Sequence, residues 1–317
     1  MQLPEISKPL IILVGPTAVG KTSFSIELAK SMNAEIISAD SRYLYRGMDI
    51  GTAKPDLQEM GGITHYLIDV ADPDEIWSLT DYQKCVHDLV ENIYSRNKIP
   101  LLVGGTGQYI RSIIEGWEPP EREPDQNLRI VLERWAHEIG KVELHKRLEY
   151  LDPIAASKID TNNLRRTIRA LEVIFITGKK FSCQRRKTTI PYTVFLIGMQ
   201  RERGELYERI DLRIEEMFQM GLLDEVKGLI RKGYSSDLPT FSAIGYREAI
   251  AIIKGEMEIE EAIIQMKRLT RNFVRRQANW FKKDDPRINW FDAADITVED
   301  VCKHLKDLNK WIFPNAE

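Results

Sequence analysis

Pro9-Leu10-Ile11-Ile12-Leu13-Val14-Gly15-Pro16-Thr17-Ala18-Val19-Gly20-Lys21-Thr22 decides how the rest of the chain reads. A short, continuous apolar run is the pattern of a strand buried on both faces. It passes directly into G-x-x-x-x-G-K-[ST], the pattern of a phosphate-binding loop. The next stretch, Ser23 to Met32, sets Phe24, Ile26, Leu28 and Ala29 in a helical pattern. Strand, loop and helix in that order are what phosphate chemistry requires. Loop N–H groups turn inward, the helix N-terminus adds positive dipole, Lys21 brings a mobile charge, and Thr22 offers a hydroxyl to Mg²⁺.

The same alternation continues outward. Glu35 to Ala39 and Thr64 to Val70 read as strands, Thr80 to Arg96 as a helix, and Ile99 to Val103 as a strand ending in Gly104-Gly105. The fold class expected is α/β, a phosphate-loop NTPase-like parallel sheet flanked by helices. Trp117 to Asp125 then breaks the rhythm with prolines and charges. From Gln126 to Gly178 the pattern is helical, with Leu144, Leu148 and Leu151, then Leu164, Ile168, Leu171 and Ile174. Tyr192 to Gly198 is strand-like again, and from Gly204 on the chain reads mostly as helices. The expected division is a core of residues 1–118 and 191–317 carrying an inserted all-helical domain, 119–190.

With 317 residues, 43% of them hydrophobic and 29% charged, the composition is that of a packed globular protein and excludes a disordered, collagenous or membrane-embedded chain. The run Leu10 to Val14 falls far short of the roughly 20 residues that span a bilayer. Met1 to Pro9 holds two prolines and Glu5 where a signal peptide would be basic and then apolar. A cytoplasmic location with no membrane partner is expected. Cys85, Cys183 and Cys302 are isolated, so neither a disulfide framework nor a zinc site is indicated and buried free thiols are expected. The net charge of −3 is unevenly spread. Between Asn162 and Lys187 stand Arg165, Arg166, Arg169, Lys179, Lys180, Arg185, Arg186 and Lys187 against the single acid Glu172, and a second basic block runs from Lys267 to Lys283. Such blocks let a near-neutral protein bind a polyanion locally.

A phosphate loop does not name a reaction. Asp69, ending Leu67-Ile68-Asp69, is a candidate magnesium carboxylate, but no N-K-x-D for guanine is present. Asp40 falls at the carboxyl end of its strand, where ligands bind in such sheets, and reads as a base, a magnesium partner or a turn residue. The blocks GPTAVGKT, ISADSRYLYRGMDIGTAKP, LLVGGTGQYI, LRRTIRALEVIFITGK, RGELYERIDLRIEEM and AIGYREAI together resemble the bacterial tRNA dimethylallyltransferases, the IPP transferase family, in order from about residue 10 to 283.

That resemblance implies transfer of a dimethylallyl group from its diphosphate to N6 of adenosine 37 in tRNA, with release of diphosphate. It implies that Gly15, Pro16, Thr17, Ala18, Val19, Gly20, Lys21 and Thr22 hold the diphosphate, with Mg²⁺ as cofactor at Thr22. Asp40 would be the base, Thr17 would lie near the reacting groups, and Lys21 and Arg213 would act on the diphosphate. The implied tRNA contacts are Asp40, Ser41, Arg42 and Tyr43; Thr106; Arg129; Arg165, Arg166, Thr167, Ile168 and Arg169; Ser242, Ala243, Ile244, Gly245, Tyr246 and Arg247; and Arg275, Arg276, Gln277, Ala278, Asn279, Trp280, Phe281 and Lys282. A monomer acting on the anticodon stem-loop is expected. The chain departs from the family at Val19, where serine is common, and at Gln108, where leucine or methionine is common; neither change removes a charge or hydroxyl with an implied role. The alternatives are an isopentenyltransferase of free adenylate, a small-molecule kinase binding ATP at the loop, and a noncatalytic RNA-binding protein. Trp280 and Phe281, interleaved with cations, read either as a stacking surface or as core residues at helical spacing.

Overall fold

The structure, a computed structural model, describes residues 8–118, 125–183 and 186–308. Part of the expected boundary stretch and Arg185 of the first basic block lie outside them. The chain divides into two units, Met1–Ile114 with Pro191–Glu317, and Glu115–Ile190.

In the first unit the elements are β1 (Pro9–Val14), α1 (Lys21–Met32), β2 (Ala34–Ala39), β3 (His65–Tyr66), α2 (Leu79–Ser95), β4 (Ile99–Gly104) and α3 (Gly107–Ile114). In the second they are β5 (Trp117–Glu118), α4 (Gln126–Ile139), α5 (Lys141–Leu151), α6 (Pro153–Lys158), α7 (Leu164–Thr177) and β6 (Arg186–Lys187). The first unit resumes with β7 (Thr193–Gln200), α8 (Arg203–Gln219), α9 (Leu222–Arg231), α10 (Tyr246–Ile253), α11 (Ile259–Trp280), β8 (Ile288–Asp292) and α12 (Val298–Leu308).

Among the described residues the first unit forms one parallel sheet in the order β3-β2-β4-β1-β7-β8. The apolar run of β1 is central to it, so Leu10 to Val14 are fully buried. Register sets the strand ends level. Val14 pairs with Gly104 on one side and Gly198 on the other, and Gly104 pairs with Ala39. The loops that leave β1, β2 and β4 therefore start side by side, which is where parallel sheets bind ligands.

Three details differ from the sequence reading. Strand β8 occupies a stretch read as helical; its Ile288-Asn289-Trp290-Phe291-Asp292 is short and follows a Pro286 turn, and periodicity cannot sort so short an apolar run. The strand expected over Thr64 to Val70 shrinks to β3, because Leu67 and Asp69 take positive φ values of 60° and 54°, which a ladder does not accommodate. Of the three free thiols Cys183 is exposed and the other two are only half-buried, which corrects the expectation of buried cysteines.

The second unit has its own core, built by Leu132, Ala136, Leu144, Leu148, Ile168 and Leu171. At its centre the fully buried Glu172 carboxylate accepts hydrogen bonds from Arg129 Nε at 3.0 Å, Arg169 Nη1 at 2.7 Å and the Asp125 amide at 2.8 Å. A buried carboxylate needs such partners, since desolvation costs it several kcal/mol. Several members of the expected RNA-contacting set thus have partners within the unit. Arg129 and Arg169 are engaged by Glu172, Ile168 is core, and Thr167 is buried with its hydroxyl 3.1 Å from His145 Nδ1. Arg165 and Arg166 remain exposed. Replacing Glu172 by Ala should destabilise this unit by about 2–4 kcal/mol, since it strips three donors of their acceptor; chemical denaturation with a far-UV signal measures it, and an unchanged midpoint would refute the structural role.

Candidate active site

The phosphate loop takes its shape from two left-handed residues, Ala18 (φ 66°) and Gly20 (φ 109°). Gly20 then caps α1 without a side-chain hydrogen bond, leaving the first-turn amides of that helix to the loop. Lys21 Nζ donates to the carbonyls of Gly15 (2.9 Å) and Pro16 (2.8 Å). Burial pulls the Lys21 ammonium down to about 8; Asp40 opposes that shift and Arg213 adds to it. From outside the loop Arg209 Nε donates to the Ala18 carbonyl at 2.8 Å.

A cavity of about 550 Å³ opens beside the loop in the first unit. Thr17 reaches it from the phosphate loop, Asp40, Ser41 and Arg42 from the end of β2, and Gly105, Thr106 and Gln108 from the end of β4. Arg213 enters from α8 together with Ile210, Ile214 and Met217, one face of that helix. Ser242, Ala243 and Ile244 form another wall, and α11 contributes Phe273, Arg276, Gln277 and Trp280. The site thus joins a cationic, phosphate-shaped end to an apolar wall and an aromatic rim.

Asp40 is held by its own turn. Its Oδ1 accepts the Arg42 amide at 2.9 Å, and Arg42 is itself anchored by Nη1 to the Thr240 carbonyl at 3.1 Å. Burial raises the Asp40 pKa, against the lowering pull of the Arg42 amide, Lys21 and the Arg42 guanidinium. Thr106 Oγ1 accepts the Ser41 amide at 3.1 Å, so the turn after β4 braces the turn after β2.

Other expected residues are placed as scaffolding. Tyr43 donates its hydroxyl to the Ala53 carbonyl at 2.8 Å. Asp69, the candidate magnesium carboxylate, pairs at 2.5 Å with the buried Lys54, which also binds Asp49 at 2.6 Å. Gly245 has φ 99°, Tyr246 is buried, and Arg247 pairs with buried Glu248 at 2.8 Å. On α11 Arg275 donates to the Tyr207 hydroxyl at 3.4 Å, Arg276 lies over Phe273, and Ala278 and Asn279 are exposed, as is Lys282 just beyond the helix. Phe281 is core while Trp280 faces the cavity, so the two readings of that pair apply to one residue each. Gln277 is buried and borders the cavity.

Glu225 escapes the sequence reading. Its carboxylate accepts the amides of Asp49 (2.9 Å), Ile50 (2.7 Å) and Gly51 (3.2 Å) and the Tyr246 hydroxyl (2.5 Å). Burial, and after it the Glu225 charge, push the Tyr246 phenol far above its usual range. A lone acid on an amphipathic helix gives no such signal in sequence. The missed apolar wall had one, since Ile210, Ile214 and Met217 flank Arg213 at helical spacing.

Strand ends that gather a phosphate loop, a half-buried carboxylate and an arginine around one cavity define a phosphate-loop transferase. The IPP transferase family model matches residues 43–284. A tRNA dimethylallyltransferase of Roseiflexus sp. (strain RS-1) is 48% identical over 275 residues, covering 87% of this chain and 90% of that one. Its counterpart in Herpetosiphon aurantiacus is 45% identical over 309 residues, covering 97% and 96%. The crystal structure of the Bacillus halodurans tRNA isopentenylpyrophosphate transferase superposes with a TM-score of 0.70 at 40% identity, covering 96% of each chain. A eukaryotic dimethylallyltransferase acting on tRNA superposes with a TM-score of 0.81 at 28% identity, covering 98% of this chain and 81% of that one. The chain belongs to the IPP transferase family and is a prenyltransferase.

Glu225→Ala should loosen Gly51, Thr52 and Ala53, which also line the cavity, and lower stability by about 2–4 kcal/mol, because three backbone donors and a buried phenol lose one acceptor. A thermal melt checks this, and a wild-type Tm would refute it.

Proposed function

We propose that this chain transfers the dimethylallyl group of dimethylallyl diphosphate to N6 of adenosine 37 in the anticodon loop of tRNA. The observation that supports this most is that Asp40 and Arg213 face one cavity and both act on the charge of Lys21. In the reaction the N6 lone pair forms a bond to C1 of the prenyl group, the C1–O bond breaks with its electrons going to diphosphate, and the N6 proton passes to the Asp40 carboxylate. An exocyclic amine is a weak nucleophile because its lone pair is delocalised, so a positioned base is needed. Lys21, the loop amides and Arg213 hold the leaving diphosphate, where charge develops. The apolar face of α8 suits a five-carbon tail.

Among the described residues no group of three or more His, Cys, Asp or Glu is placed to hold a metal ion. Mg²⁺ keeps several waters and takes few protein ligands besides phosphate oxygens, and the Thr22 hydroxyl in the first turn of α1 is an oxygen donor of the kind it takes. Thr22 would hold it, and it would neutralise charge on the diphosphate. The target base must leave its stack to reach Asp40. Trp280 and Phe273 give that base an aromatic rim, and the exposed Arg165 and Arg166 offer cations to the phosphate backbone.

Incubation with Mg²⁺, dimethylallyl diphosphate and either unmodified tRNA or AMP, followed by nucleoside mass spectrometry, tests the reading. A prenyl mass gain on tRNA adenosine is expected, and a gain on AMP alone or on neither would overturn it. Asp40→Asn should lower kcat by about 10²–10⁴-fold with tRNA affinity retained. Because burial raises Asp40 and the base acts unprotonated, wild-type kcat/KM should fall with acid at a pH above the ordinary Asp value of about 3.9; a profile flat down to that value would remove Asp40 as base. Arg165→Ala should weaken tRNA binding and reduce the slope of log K against log salt by about 1; an unchanged slope would remove it from the interface.

A further inference from the structure

We infer that Gln277 is a positioning residue of the transfer reaction, which locks the phosphate loop to the turn that holds the base and makes no contact with RNA. The inference rests on the proposed reading of the cavity as the prenyl-transfer site. Gln277 sits on α11, the helix that also brings Phe273, Arg276 and Trp280 to the cavity, yet it is only 4% exposed. Both ends of its amide are used. Oε1 accepts the Thr17 amide of the phosphate loop at 2.9 Å, and Nε2 donates to the Gly105 carbonyl at 3.1 Å.

These two partners leave different strands, β1 and β4, so one side chain spans the gap between two loops that no ladder connects. The link continues. Residue 106 follows Gly105, and its Oγ1 holds the Ser41 amide next to Asp40. A continuous path of short polar contacts therefore runs from Thr17 through Gln277, Gly105, Thr106 and Ser41 to Asp40. It sets the distance between the group that binds diphosphate and the group that takes the proton. Gly105 is shaped for this bridge, because a Cβ there would lie 2.3 Å from Gln277 Nε2.

An RNA contact would need an accessible amide end, and neither is free. A simple core filler would not need two polar partners, since burying an amide is worthwhile only when both ends are bonded. Effective catalysis depends on such placement, as a 1 Å displacement at the reacting groups costs on the order of 10²-fold.

Two variants break the bridge from opposite sides. Gln277→Met keeps the length of the side chain and removes both hydrogen bonds. Gly105→Ala keeps Gln277 but drives a methyl group into its amide, a flexible end that swings aside, with the Gly15 carbonyl oxygen 3.3 Å from that methyl a slighter, second contact; the backbone there has no positive φ that would strain alanine. The measurements are kcat with both substrates saturating, tRNA Kd without donor, and Tm. The expected result for each variant is a kcat loss on the order of 10²-fold with wild-type tRNA Kd, and a double variant no slower than the slower single one, because both changes cut one link. If tRNA Kd rises in step with the loss and saturating tRNA restores kcat, Gln277 is an RNA contact and the inference falls. It falls also if Gly105→Ala leaves kcat unchanged, or if the two losses multiply. Should the wild type transfer no prenyl group, the proposed function fails, and the bridge is then read from calorimetric affinity for inorganic diphosphate. Both variants weaken that affinity about tenfold if the bridge preorganises the loop; an unchanged affinity overturns it.

Discussion

Strand ends that meet with no room for a side chain between them set the position of everything at the site. A Cβ on Gly104 would stand 2.3 Å from the Ala39 carbonyl oxygen, and one on Gly15 would stand 2.7 Å from that of Met199. Only hydrogen fits at both places. The backbones of β4 and β2, and those of the β1 exit and β7, therefore run as close as ladder spacing allows, and β1 lies between β4 and β7 in the sheet. The phosphate loop, Asp40 and Thr106 become neighbours through this steric fact before any of them meets a substrate. Rigid strands supply the positions and the loops between them supply the chemistry, the division of labour general to parallel sheets.

Burial acts on this arrangement in opposite senses. It pulls Lys21 down towards neutrality and pushes Asp40 up towards neutrality, and each group's charge resists the other's shift. Arg213 adds positive charge beside Lys21 and deepens its depression. A diphosphate placed among these groups reverses the balance, since its negative charge favours the ammonium form of Lys21 and uses the Arg213 charge that otherwise opposes it. The cation excess is therefore matched to an anionic leaving group and poorly suited to a neutral ligand.

Much of this is legible in the sequence because it rests on local pattern. The apolar run before Gly15, the glycines at 15 and 20 and the lysine at 21 declare a strand, a loop and a helix in one stretch, and the strands before Asp40 and Gly105 repeat the signal. What is not legible is pairing between distant elements. Nothing near Glu225 indicates that it will collect the amides of residues 49 to 51, and nothing near Gln277 indicates that Thr17 lies across from it, 260 residues away in sequence. The left-handed turns at Leu67 and Asp69 are hidden for a related reason. Nothing in an apolar run such as Leu67-Ile68 announces the positive φ values that end the strand early.

Charge counting meets the same limit in the helical unit. Read along the chain, Arg165, Arg166 and Arg169 make one basic face against the single acid Glu172, and the spacing of three and four residues groups Arg165 with Arg169. Folding regroups them. Glu172 turns fully inward and cannot remain there alone, so it draws Arg169 from its own helix and Arg129 from α4. Those two cations then serve the cohesion of the unit, and the one carboxylate offsets one of their two charges. The positive field left comes from the one charge the buried acid does not offset and from the exposed Arg165, Arg166, Lys179 and Lys180. A basic block therefore measures an upper bound on interface charge, from which one unit for each buried acid must be subtracted before the remainder is assigned to a partner.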